Sequence, residues 1–324
     1  MSSSVNSDYN NDMHSWIEIE RQVSNIAKAG FTHIQWIHDW EGEYIYSPSE
    51  MFQVRDLIKG YGLKAHTIHA TEGGVRSRKI NGKVLFNNRY RFTDIRKDYT
   101  SMNEYTRLAG VDLIRNRIDL CSHIGATAMV LHMQLPYMMF EESPSDKADY
   151  YHQVCKSFDE IQPYARAAGV RIALENLICT PKHHQEEQFD RMFDKYNEDF
   201  LGFCFDSGHA SLQCKSDITY FLKKYNKRLY ITHLQDTNSI PDELLKDDSE
   251  ILKHDRHWVP FAEEGVIDWD EIARLVAKAP LDLPADFEVG IYGSTPEEEF
   301  EKLKDCRKKA EKFDNMVKAY KDKT

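Results

Sequence analysis

Four acidic or imidazole side chains stand at or near the end of short apolar runs. Glu175 follows Arg171-Ile-Ala-Leu, Asp206 follows Gly202-Phe-Cys-Phe, His233 follows Leu229-Tyr-Ile-Thr, and Glu288 follows Asp286-Phe. One strand-terminal carboxylate is unremarkable, because it can simply cap the next helix or pair with an arginine. Four on successive strands are harder to dismiss, since charges are rarely buried without partners. Carboxylate and imidazole donors with no thiolate favour one divalent ion, Mn foremost, with Mg, Co, Fe or Zn as alternatives. Further candidates follow other runs: His69 after Thr67-Ile68, His132 after Met129-Val-Leu, His209 three residues past Asp206, and Asp255-Arg256-His257 in a long loop.

Strands must bring these residues together. Apolar, β-branched or aromatic runs recur at Phe31–Ile37, Leu63–Ile68, Ala128–Leu131, Val170–Leu174, Phe203–Phe205, Leu229–Ile231 and near Phe287–Ile291. Stretches with helical spacing separate most of them, and strands alternating with helices mean a parallel sheet. The fold class is therefore α/β, a (β/α)8 TIM barrel whose functional side chains sit at the C-terminal ends of the strands. Glycines just ahead of strands, Gly30 and Gly169, fit helix C-terminal caps. The first strand has to lie within Ser4–Tyr9, which is polar and weak. The chain is expected to form a single domain over 1–324. Loop insertions at the active-site end are expected at 71–110 and 234–270, with a C-terminal helix over 297–324.

At 324 residues and 41% hydrophobic content, the chain can bury a large core. No stretch approaches the roughly 20 apolar residues of a membrane helix, and the N-terminus lacks a secretory pattern. The six cysteines are scattered, as expected of thiols in a reducing compartment, so a cytoplasmic address is expected. The net charge of −11 argues against broad attraction to nucleic acid or membrane. A local basic run contains Arg76, Arg78, Lys79, Lys83, Arg89, Arg91, Arg96 and Lys97. It is a candidate anion seat, or else a solvated face or subunit contact. Trp36, Trp40, Trp258 and Phe261 are candidates to stack on a ligand, with core packing the alternative for Trp36.

The segments Ala173-Leu-Glu175-Asn176, Phe205-Asp206-Ser-Gly-His209-Ala210, Thr232-His233-Leu-Gln-Asp236 and Phe287-Glu288-Val289-Gly290 resemble the signature segments of the xylose-isomerase-like TIM barrels. That superfamily joins sugar and sugar-phosphate isomerases and epimerases to apurinic-site endonucleases. The resemblance implies a metal-dependent isomerase or epimerase of a sugar or sugar derivative, working by proton transfer through a metal-stabilised cis-enediolate. Glu175 and Glu288 would then be the acid/base pair, and Glu175, Asp206, His233 and Glu288 the metal ligands. His209, His132, His69, His257, Asp255 and Trp36 would face a small-molecule carbohydrate. A homo-oligomer or partner subunit is compatible with this reading. The same start, deprotonation beside a carbonyl, serves inosose dehydration and cleavage of oxidised C-glycosides. In the endonuclease branch, three zinc ions are held at positions resembling His69, His132, Glu175, Asp206, His209, His233, Asp255, His257 and Glu288. The divergent, longer loop 234–253 and the acidic surface weigh against phosphodiester cleavage.

Overall fold

Alternation along each strand decides what faces the barrel axis. In Arg171–Glu175, Ile172 and Leu174 join the main apolar cluster with Phe158 and Ile161 of the helix Pro144–Ala168, whereas Ala173 belongs to a second cluster with Cys204 and Ile231. With a period of two, Glu175 shares the inner face with Ala173, as Asp206 does with Cys204 and His233 with Ile231. The computed structural model describes residues 3–10, 15–87, 89, 92, 94–215, 217–280 and 284–323.

The strands are β1 (Ser3–Asn6), β2 (His33–Trp36), β3 (Lys64–His69), β4 (Ser77–Ile80), β5 (Lys83–Phe86), β6 (Ala128–Leu131), β7 (Arg171–Glu175), β8 (Leu201–Asp206), β9 (Leu229–His233) and β10 (Ala285–Phe287). Eight of them form one parallel sheet in the order β10-β1-β2-β3-β6-β7-β8-β9, with helices packed outside. The Leu234 N–H donates to the Asp286 carbonyl (2.9 Å) and the Asp286 N–H to Thr232 Oγ1 (3.2 Å), drawing the two end strands together into a nearly closed TIM barrel. Among the described residues, no helix is long and apolar enough to cross a membrane.

The polar first strand is real. Ser3, Ser4, Val5 and Asn6 are all buried, and Asn6 clamps the far end of the chain: its amide donates to the Val289 carbonyl (3.2 Å) and accepts from the Val289 N–H (2.9 Å). A side chain thus does what a ladder bond does elsewhere. The last strand, expected near Phe287–Ile291, instead spans Ala285–Phe287, so Glu288 stands just beyond its end.

The two long insertions clasp each other. Residues 71–110 contain the antiparallel hairpin β4–β5, turned at Asn81-Gly82 with φ of 50° and 81°, and end inside the helix Glu104–Ile124. Residues 234–270 contain the helix Asp248–His254, and Asp248 accepts from the Phe86 N–H (3.0 Å) and pairs with Arg89. Other members of the basic run are also paired: Arg76 with Asp255 across the two insertions, Arg78 with Asp94 inside the first, and Lys97 with Glu43, which lies outside both. Arg91 lies outside the described residues.

Candidate metal centre and active site

β7, β8 and β9 end in Glu175, Asp206 and His233, and Glu288 follows β10 directly. One donor atom from each of these four buried residues lies within 4.8 Å of the other three. His233 Nδ1 is the hub, at 3.3 Å from Glu175 Oε1, 3.1 Å from Glu288 Oε2 and 4.0 Å from Asp206 Oδ2. Glu175 Oε1 and His233 Nδ1 are buried without a hydrogen-bond partner. Two orphaned buried atoms, one carboxylate oxygen and one imidazole nitrogen, set among three carboxylates in all, fit a divalent cation.

Neighbours hold these side chains in place. The amide of Gln35 meets His233 Nε2 at 3.0 Å, which turns Nδ1 toward the carboxylates. Asp206 is both a helix cap and a candidate ligand: Oδ1 accepts from the His209 N–H (2.7 Å), while the Gln235 amide donates to Oδ2 (3.0 Å). Gly208 makes room there, because a Cβ would come within 2.5 Å of the Gln235 side chain and force it to move.

The charges are strongly coupled. Burial opposes ionisation of Glu175, yet the imidazoles of His233 and His132 hold its carboxyl well below the usual range. Glu288 is also buried, which opposes its ionisation, yet it is held to about 2, chiefly by His233. Burial raises Asp206 to about 6 despite His209. Burial would lower His233, but Cys204, Glu288 and Glu175 raise it well above the usual imidazole range. A proton on His233 thus offsets part of the negative charge of the three carboxylates, of which a divalent cation would offset more.

A cavity of about 290 Å³ opens on this centre and is lined by Glu175 and Glu288 together with His69, His132, His209 and His257. It lies at the small end of ligand sites, which run to roughly 300–1,000 Å³. His132 Nε2 is 3.0 Å from Glu175 Oε2 and 3.1 Å from His69 Nε2. His209 Nε2 and His257 Nε2 both point at Asp255 Oδ1, at 3.7 and 3.4 Å. The Nδ1 atoms of His69, His209 and His257 lie 3.1, 3.0 and 3.3 Å from the carbonyls of Ala70, Asn176 and Glu288. Each ring is therefore tethered at Nδ1 and presents Nε2 inward. Against burial, Asp206 and neighbouring carboxylates push His209 up to about 9, and Asp255 pushes His257 up to about 10.

Of the residues expected to face a ligand, Trp36 does not. Gln35 takes the inner face of β2, so Trp36 points outward into the core, 1% exposed, with its Nε1 donating to Tyr46 (3.3 Å). Trp40 lines the cavity instead, with its ring 5.0 Å from that of His69 and 5.3 Å from that of His132. Trp258 and Phe261 are not among the lining residues. Sequence reasoning missed Asn6 at the end of β1 and Asp8 just beyond it, which line the cavity, and the supports Gln35 and Gln235. Asp8 carried the same signal as the other strand ends, a carboxylate just past Val5, but inside a segment too polar to read as a strand.

A family profile described as xylose isomerase-like TIM barrel matches residues 23–310. An uncharacterized protein of Sinorhizobium fredii, y4fM, is 29% identical over 272 residues, which is 83% of this chain and 80% of that protein. A D-tagatose 3-epimerase-like protein superposes with a TM-score of 0.65 at 20% identity, covering 98% of this chain and 99% of its own. The 3-keto-D-glucoside 4-epimerase YcjR of E. coli superposes with a TM-score of 0.61 at 15% identity, covering 96% and 98%.

Proposed function

Because the chain belongs to the xylose isomerase-like TIM-barrel family, we propose that it is a divalent-metal-dependent isomerase or epimerase of a sugar or sugar derivative. The observation that carries this reading is the pair of carboxylates, Glu175 and Glu288, that meet at His233 and both line the cavity. Glu175, Asp206, His233 and Glu288 hold the ion, manganese in this reading. When bound, it supplies Lewis acidity that polarises a substrate carbonyl. Glu175 and Glu288 both rest in the ionised form; one removes the proton on the carbon beside that carbonyl, and the other, once it has taken a proton from solvent, returns one to the substrate. His132 and His209 orient substrate oxygens through Nε2. The sugar epimerase names of the structural neighbours support the substrate class. A cytoplasmic address, with all six thiols free, belongs to the same reading. The test is deuterium uptake from D2O by a panel of ketoses with manganese-loaded protein. Loss of water or of an aglycone instead of exchange would redirect the reading to a dehydratase or lyase.

A second reading is favoured by the four imidazoles around the cavity. His69 and His132 gather on Glu175, and His209 and His257 on Asp255, so two further ion positions of the kind used for phosphodiester cleavage are compatible with the donors. Metal content separates the two: about one ion per chain supports the isomerase, and three zinc ions per chain support the hydrolase.

A further inference from the structure

Asp8 is a buried carboxylate, 4% exposed, on the cavity wall beyond β1. Among the described residues, the amide of Asn6 is the one side chain that donates to it, at Oδ1 (2.8 Å), and that amide also donates to the Val289 carbonyl. Among the described residues, no arginine or lysine pairs with it. The charged groups acting on it are Glu288 and His257, and the His257 ring is already turned to Asp255 (3.4 Å). Of the two guanidinium groups lining the cavity, Arg76 is bound to Asp255 and Arg256 is exposed over the Trp258 ring (5.8 Å). An ionised carboxylate only accepts hydrogen bonds, and an under-satisfied buried one requires donors from whatever fills the cavity.

We propose that Asp8 is a specificity-determining acceptor for substrate hydroxyls remote from the reacting carbonyl, and that the substrate end reaching the Asn6–Asp8 wall is hydroxylated and uncharged rather than phosphorylated. A phosphate there would meet a carboxylate without a paired cation, whereas a hydroxyl donates a charge-assisted bond. This rests on the isomerase reading of the site.

The experiment uses manganese-loaded full-length protein with free ketohexoses and ketopentoses, their monodeoxy counterparts and their terminal phosphate esters. Deuterium uptake gives kcat and KM, and calorimetry gives affinity. Free ketoses are expected to outperform the esters in kcat/KM by at least about tenfold, the factor that one charge-assisted hydrogen bond carries. Asp8→Ala raises KM for the free sugar by a similar factor and lowers kcat less. One monodeoxy sugar, lacking the recognised hydroxyl, becomes indifferent to the substitution. Asp8→Asn keeps the shape and serves if the alanine variant does not fold. Preference for the esters, or an unchanged KM in both variants, overturns the assignment while leaving the isomerase reading standing. Exchange with no compound at all removes the isomerase reading. In that case, tenfold weaker sugar binding by Asp8→Ala retains the hydroxyl-acceptor role, and equal or absent binding of neutral polyols overturns it.

Discussion

Glu175 Oε1 and His233 Nδ1 face each other at 3.3 Å, both buried and neither hydrogen-bonded, although His209 Nδ1 lies 3.1 Å from the same oxygen. The His209 hydrogen bond goes to the Asn176 carbonyl (3.0 Å), so the carboxylate oxygen is left over. If the proposed ion binds here, it should bind more strongly in the fold than in the unfolded chain. Manganese at about 100 times its Kd should stabilise the protein by about 2.7 kcal/mol, a rise in Tm of roughly 5 °C. Differential scanning calorimetry should show the rise in the wild type and its loss in His233→Ala. Glu288→Gln should lower kcat by about 10²-fold or more. Equal metal-induced shifts in wild type and His233→Ala would exclude this centre.

Gly208 lies against Gln235, whose amide holds Asp206. Gly208→Ala should push Gln235 aside and weaken metal affinity by about 10–100-fold, the usual effect of losing a group that orients a ligand. Competition of the loaded protein against a fluorescent chelator reads this directly, and unchanged affinity would show that Gln235 does not position Asp206.

The two tryptophans near β2 should separate cleanly. Trp36→Ala removes a fully buried side chain and should cost about 3–5 kcal/mol in denaturant unfolding. Trp40→Ala, on the cavity wall, should cost far less stability and raise KM. Swapped effects would place the wrong ring at the ligand.

Glu72 provides a pH dependence. Its carboxyl is buried, Oε1 accepts from the Gln134 amide (2.8 Å), Oε2 has no partner among the described residues, and burial pushes its pKa from 4.5 up to about 8. A carboxyl raised by folding is favoured in its protonated form. Its stabilising contribution is therefore fully present below pH 4.5 and lost as the pH rises through about 8. At about 1.4 kcal/mol per pKa unit, Glu72→Gln should remove on the order of a few kcal/mol from the decline between pH 5 and 8.5. Parallel curves for the two proteins in urea unfolding would refute a neutral Glu72.

The four-residue donor cluster was legible in the sequence because a strand writes its inner face locally: apolar residues at alternate positions, then a polar residue where the strand leaves the core. The alternation of strands and helices, and the glycine cap at Gly169 with φ of 68°, were legible for the same reason. The β1 wall was not. Its strand is polar and buried, and Asn6 acquires meaning only when Val289, 283 residues away, arrives to be clamped. The phase of β2 was equally hidden, since whether Trp36 or Gln35 faces the axis depends on register against β1 and β3, which no local pattern encodes. The sequence by itself determined which residue types stand at the strand ends, and thereby the barrel and its donor set. Only the tertiary structure decided which side chains support those donors and which wall a substrate meets, because both depend on closure between segments that are neighbours in space and strangers in sequence.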